Sequence, residues 1–440
     1  MLKKSILEIS KIMIKRGRFS RGFLCFLWIS IALLSFLLNL DVSAQKPEVQ
    51  TLLSCYHLAL KQSEEVAVNQ EKIKEVEGLF LQSLSTILPR LSYDSSLKRQ
   101  DSSGSNSNEI VEGKFIFTQP LFRGFKEFAA IASSRHQQKH HQYQLDYAKL
   151  LLFRDVADAV YLYLRYQQDL EVLNGIHQIL LERWETLKKR ETLGRSRLSD
   201  TVSVETQLRR LEADMETVSG QKEVAGQLLE FLTGVAIQNL VDDVPIEKEL
   251  QEIDVYMQQV SRRPDVLAQK ETVESAREQV KIVRSGYFPE ILLEGNQYTR
   301  REGSSRNVDW DVLLSVEIPL FQGGEIRGAV HSAHAMASQE ELRYSEIQRR
   351  AEQEVKNAYT LFLSALRRQD ALVKVMEFSQ KNYELQLEDF QINLVNNLDV
   401  LEALEKVQDS RREYMNIQNE VKQLYWQFKT AVGDIPDDAI

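Results

Sequence analysis

The sequence predicts a mixed α and β fold built twice, each half pairing two β-strands with long α-helices of coiled-coil character. Three observations carry that expectation. The phrase Pro-Leu-Phe-x-Gly occurs at Pro120 to Gly124 and again at Pro319 to Gly323. Each copy is preceded by a segment of alternating apolar and polar residues. Each is followed by a proline-free run, Leu121 to Thr192 and Phe321 to Ile392, in which apolar positions step by threes and fours. With only 18 Gly and 8 Pro in 440 residues, the chain has few breakers to interrupt long helices.

The chain opens on a targeting segment. Lys15, Arg16, Arg18 and Arg21 precede an apolar run from Phe23 to Leu38, and Val42-Ser43-Ala44 reads as a small-residue cleavage site. Residues 1–44 are therefore expected to be a signal peptide. Its removal takes away seven basic and two acidic residues and moves the net charge from −9 to −14. Such an acidic exported protein has no bulk attraction for nucleic acid. Cys25 leaves with the signal and Cys55 remains alone, so no intrachain disulfide can form. "LLSC" at Leu52 to Cys55 lies beyond polar residues rather than directly after the apolar run, which argues against a lipid anchor there.

The duplication is visible in ordered landmarks. Leu88-Pro89-Arg90-Leu91 pairs with Phe288-Pro289-Glu290-Ile291, Leu193-Gly194 with Ile392-Asn393, Asp200 with Asp399, and Thr233-Gly234 with Val432-Gly433. The first unit is expected over 45–243, a linker over 244–261 and the second unit over 262–440. Within the first unit, Ser54 to Thr86 reads as one helix. Leu91, Tyr93, Ser95 and Leu97 alternate as a strand, and Ser102 to Asn108 reads as a loop. Ile110 to Thr118 is a second strand with Val111, Gly113, Phe115 and Phe117 on one face and Glu112 and Lys114 on the other. The following helix carries a seam through Leu145, Ala148, Leu152, Val156, Ala159, Tyr163, Tyr166, Leu170, Leu173, Leu180, Trp184 and Leu187, with His177 its one polar member.

In the second unit Trp310, Val312, Leu314, Val316 and Ile318 oppose Asp309, Asp311, Ser315 and Glu317, with Leu313 the exception. A strand of that length and pattern suits the wall of a membrane barrel, and equally one half-buried strand of a soluble sandwich. The long unpaired helix seams favour the barrel. Four strand candidates cannot close one, because open edges are forbidden in lipid. Subunits would have to share it, two chains giving eight strands and three giving twelve.

"IPLFQGG" (Ile318 to Gly324), "RRPDVLAQKETVESAREQVKIVRSGYFPEI" (Arg262 to Ile291) and "NLDVLEALEKVQDSRREY" (Asn397 to Tyr414) together resemble the TolC family of outer-membrane efflux proteins, from about Thr51 to Gly433. The resemblance implies a homotrimer with a twelve-stranded outer-membrane β-barrel continuous with a periplasmic α-helical tunnel. It implies export of solutes or polypeptides, as in efflux or type I secretion, with a periplasmic adaptor and an inner-membrane transporter as partners. Strand–helix joins would fall at Pro89, Pro120, Gly124, Pro289, Pro319, Gly323 and Gly324. The helix-turn-helix tips would form the periplasmic entrance, with Leu193, Gly194, Leu198, Asn393 and Leu394 available to an adaptor. Carboxylates at Asp399 and Glu402, spaced i, i+3, would line a gate, with Asp200 the weaker equivalent because Ser203 stands where Glu402 does. The family's aromatic and basic lock is matched by Phe390 alone, since Val395 occupies the basic position.

His136 with His140, and His331 with His334, have helical pair spacing but no third ligand, so no metal site is expected. No phosphate-binding, dinucleotide or nucleophile-elbow motif occurs; no cofactor and no enzymatic activity is expected. A soluble periplasmic coiled-coil scaffold or adaptor is the alternative reading.

Overall fold

The computed structural model describes residues 50–102, 105–237, 239–242, 245–301, 307–392 and 394–436. The signal segment 1–44 and Asn393 lie outside the described residues. The elements run in order α1 (Leu52–Gln62), α2 (Glu64–Ser85), β1 (Arg90–Ser102), β2 (Ser105–Arg123), α3 (Lys126–Thr192), α4 (Leu198–Thr233), α5 (Ile253–Gln259), α6 (Pro264–Arg284), β3 (Glu290–Arg301), β4 (Trp310–Glu317), α7 (Glu325–Gln391) and α8 (Asn397–Val432).

The duplication holds in the lengths themselves: α3 and α7 each have 67 residues, and α4 and α8 each have 36. At about 1.5 Å per residue the longer pair reach roughly 100 Å. All four strands form one antiparallel sheet in the order β1-β2-β3-β4. The two hairpins share one register, since Arg90 opposes Thr118 and Glu290 opposes Glu317.

Three local departures from the sequence reading have physical reasons. The expected single helix Ser54 to Thr86 is broken at Ser63, whose extended backbone ends α1 while its hydroxyl accepts from Val66 N–H and caps α2. The Ser102 to Asn108 loop is mostly taken up by strand, β1 reaching Ser102 and β2 starting at Ser105. The ladder also runs through Pro120 to Arg123 rather than stopping there, with a bulge between Pro120 and Phe122. That is possible because β1 begins opposite Thr118, so β2 beyond it is paired on the β3 side alone and the ladder absorbs proline with a bulge.

The helical core lies along α3 and α8. Around Phe153, Val156, Val160, Tyr161 and Leu164, α3 is buried nearly all round, because α1, α4 and α8 all pack on it. Trp426 Nε1 donates to Tyr161 Oη at 3.2 Å, and the Trp426 ring meets Phe153 edge-on at 5.3 Å. The predicted seam continues toward the tips, where Leu173, Leu180 and Leu187 join Val204, Leu208, Leu401 and Leu404. There Asp169, buried on α3, holds Arg412 of α8 in a two-pronged ion pair at 2.6 and 2.8 Å.

α6 lies between α3 and α7, and α2 packs on the other side of α3. Toward the tips the neighbours run α4, α3, α8, α7. Sheet and helices therefore end on matching flanks, with β1, α2 and α4 on one side and β4 and α7 on the other. Both flanks carry exposed apolar side chains, among them Leu81, Val224 and Phe231 on one and Leu342, Leu361 and Phe378 on the other.

The single mature thiol is interior. Cys55 is 0% exposed, and burial pushes its pKa up to about 11.

Candidate functional site

The sheet separates its side chains by pleat. Leu91, Tyr93, Leu97, Phe115, Phe117, Trp310, Val312, Leu314 and Val316 share one face, and all are exposed in the single chain. The other face holds a polar network. Asn296 Nδ2 donates to Asp311 Oδ1 at 2.9 Å, and Tyr298 Oη donates to Asp311 Oδ2 at 2.7 Å. Arg301 stacks on the Tyr298 ring at 3.9 Å and lies 4.0 Å from Glu112, which Lys114 approaches at 3.4 Å. Leu313 is on this face, the exception the sequence showed. Continuous apolar surface on one side and paired charges on the other is the pattern of a wall with lipid outside and water inside.

The strand–helix joins are built from left-handed backbone. Gly124 and Phe125 take φ 62° and 63°, and Gly323 and Gly324 take 59° and 92°. Phe125, where the second copy has glycine, is the one non-glycine residue with positive φ among the described residues. An L-residue there costs about 1–2 kcal/mol. Edge-on contact of Phe125 with Phe122 at 5.2 Å offsets part of that strain. Pro89 and Pro289 precede β1 and β3, and Pro319 follows β4. Arg123 ties the first join together, lying 2.6 Å from Glu290 and 3.7 Å from the buried Glu127.

At the tips, Leu193, Gly194, Leu198 and Leu394 are exposed, and Ile392 and Leu398 join them, which sequence reasoning did not single out. The two aspartates have a local task. Asp399 Oδ2 accepts from Asn396 N at 2.9 Å, while the Asn396 side chain accepts from Leu398 and Asp399 N–H, a reciprocal capping box. Asp200 likewise accepts from Arg197 N at 3.3 Å. Glu402 stands exposed one turn beyond Asp399. The two carboxylates predicted to act together thus differ, one engaged by the helix end and one free in solvent.

The cations nearest Phe390 come from a different helix rather than from position 395, where Val395 stands. Arg183 of α3 lies over the Phe390 ring at 4.9 Å and Arg190 lies over it at 5.6 Å. Arg183 also donates to Asn397 Oδ1 from Nε at 3.1 Å and from Nη2 at 2.7 Å. Asn397, buried at the start of α8, donates onward to the Asp200 carbonyl at 3.3 Å. Burial pushes the Arg183 pKa below its ordinary value, yet at neutral pH it remains a cation. These contacts tie the α3–α4 hairpin to the α7–α8 hairpin.

The histidines are engaged across α3 and α6. His136 Nδ1 lies 2.6 Å from Glu271, and His140 Nδ1 lies 2.9 Å from both the Ala268 carbonyl and Thr272 Oγ1.

This architecture has known relatives, and the decisive match is to a family: Outer membrane efflux protein, over residues 55–235 and again over 255–434. The chain belongs to the outer membrane efflux protein family. The double match follows the duplication seen in the helix lengths and hairpin registers. Among family relatives, the chain is 21% identical to Outer membrane protein TolC of Vibrio cholerae over 381 residues, covering 81% of this chain and 85% of that protein. It is 20% identical to Nodulation protein T of Rhizobium leguminosarum bv. trifolii over 300 residues, 66% of this chain and 64% of that relative's length. The solved outer membrane protein VceC of Vibrio cholerae superposes with TM-score 0.76 at 19% identity, covering 87% of this chain and 96% of that one. At such identity the likeness speaks for the fold.

Proposed function

We propose that the protein is the outer-membrane duct of a tripartite efflux or type I secretion system, a homotrimer whose twelve strands close one barrel above a periplasmic helical tunnel. One observation carries the reading. The apolar face of the four-stranded sheet is open, and among the described residues both its edges, β1 and β4, are unpaired. Exposed edges and apolar faces of that extent are untenable in a soluble scaffold, whereas lipid and neighbouring copies satisfy both at once. The matching flanks α2/α4 and α7 close the tunnel by the same head-to-tail step. The duct has no catalytic task. Energy and cargo selection come from an inner-membrane transporter reached through a periplasmic adaptor.

The exposed Leu193, Leu198, Leu394 and Leu398 at the tips support adaptor docking through apolar contacts. In a trimer Asp399 and Glu402 bring six carboxylates toward the axis at the entrance. The tie Phe390–Arg183–Asn397–Asp200 holds the two hairpins together in the closed arrangement. Outer-membrane fractions should contain heat-modifiable trimers that conduct ions in a planar bilayer, with conductance blocked by divalent cations. Release of the protein as a freely soluble monomer by osmotic shock would refute the duct. Unchanged cation block in Asp399→Ala/Glu402→Ala would refute the gate while leaving the duct intact.

A further inference from the structure

The two copies of the Pro-Leu-Phe join have unequal surroundings. In the first, the join is enclosed by its own chain. A methyl group on Gly124 would lie 2.8 Å from the Ser285 carbonyl oxygen and 2.9 Å from Phe288 Cβ. Phe122 opposes Ile291 in the ladder, and β2 runs on to Arg123. In the second, Gly323 and Gly324 have nothing among the described residues within 4 Å of where such a group would sit. There β4 stops at Glu317, and Leu320 and Phe321 are 92% and 89% exposed.

The duplication says what is missing. Gly323 is the repeat equivalent of Gly124, and Ser85 and Leu88 are the equivalents of Ser285 and Phe288. The equivalence is structural as well, because Leu91 opposes Phe117 just as Ile291 opposes Val316. Of the contacts between successive strands, β1–β2 is therefore repeated as β3–β4, while among the described residues β2–β3 has no counterpart within one chain. Its counterpart is β4 against β1 of another copy.

We infer that the Pro319–Gly323 join of one copy seats on the Ser85–Leu91 segment of the next, reproducing between chains the enclosure that Gly124 has within one. This contact rests on the trimer reading above and adds its register. Transposing the β2–β3 pairs by the repeat offsets sets Phe321 opposite Leu91, Ile318 opposite Tyr93, Val316 opposite Ser95, Ser315 opposite Ser96 and Leu314 opposite Leu97. The pleat agrees with the result. Leu314 and Leu97 both belong to the apolar outer face, and Ser315 and Ser96 both belong to the polar inner face. A slip of one residue would turn one strand inside out. The crowding seen at Gly124 also explains why Gly323 is glycine although its own chain leaves it in open space. Its neighbour Gly324 corresponds to Phe125, a position that accepts a side chain.

Paired cysteines read the register directly. Phe321→Cys/Leu91→Cys and Ser315→Cys/Ser96→Cys should oxidise to intermolecular disulfides, with loss of the monomer band on a denaturing gel. Ser315→Cys/Ser92→Cys, displaced by four residues, should not. Buried Cys55 stays out of the exchange. Trimers that form normally but link through the displaced pair, or through none, overturn the register. Absence of trimers in the unmodified protein overturns the assembly itself and this contact with it. As a second measure, Gly323→Ala should lower the temperature at which trimers dissociate more than Gly324→Ala does. Both place a side chain at positive φ, so equal effects overturn the predicted crowding.

Discussion

Arg183→Ala tests whether the tie at the tips holds the entrance closed. The guanidinium makes two hydrogen bonds to Asn397 Oδ1, at 3.1 and 2.7 Å, and lies 4.9 Å from the Phe390 ring centre. A hydrogen bond to a charged group contributes about 1.5–3 kcal/mol, and a partly desolvated cation–π contact about 0.5–2 kcal/mol. The terms share one side chain and do not add fully, so the truncation should destabilise the local tie by about 2–4 kcal/mol. That is a roughly 30- to 700-fold rise in the population of the released tip. Hydrogen exchange measures this population where local opening, rather than global unfolding, limits exchange. The amides from Leu401 to Leu404, in the first turns of α8, should lose protection by that factor, while those around Val421 stay protected in the α3–α8 core. Single channels should open more often in parallel. Phe390→Leu, which keeps an apolar side chain but removes the ring face, should give a smaller loss. Protection within twofold of the unmodified protein at Leu401 to Leu404 would show that the tie contributes nothing, whatever its geometry.

Three further outcomes follow from the wall and the core. Leu314→Arg places a cation on the lipid face, at about 2–4 kcal/mol per chain near the bilayer midplane, and should abolish heat-modifiable trimers. Leu313→Arg, one residue earlier and facing the polar network, should leave them intact. Arg412→Ala strands the buried Asp169 carboxylate, and thermal unfolding in detergent should show a loss of about 3 kcal/mol. Cys55 should resist thiol reagents at pH 8 until the protein is unfolded. Its folded pKa of about 11 lies above the ordinary 9.0, so the contribution from its burial is fully present below pH 9 and declines as pH rises toward 11.

What the sequence could disclose was whatever recurs at a fixed spacing. The repeat, the faces of the strands and the α3 seam are periodic, so Leu173, Leu180 and Leu187 are buried as the seam required. Phe153 and Val160 were not foreseen, because their burial comes from α1, α4 and α8 closing around α3, and no single-helix period reports three partners. The tips show the same division more sharply. Asp200 and Asp399 are carboxylates in corresponding places of the repeat, and the Asn-x-x-Asp spacing from Asn396 also spells a capping box, a local task that the gate expectation leaves out. The guanidinium over the Phe390 ring comes not from the nearby position in sequence, where Val395 stands, but from α3, at Arg183. A charge 207 positions away leaves no mark near the aromatic residue it covers. It becomes visible only when the end of α7 is set against α3. The strand–helix joins fall between these cases. Their glycines and prolines announce the turns, and Phe125 against Gly324 already marks the copies as unequal, but their unequal enclosure appears only in three dimensions, because it reflects where one chain ends and another must begin.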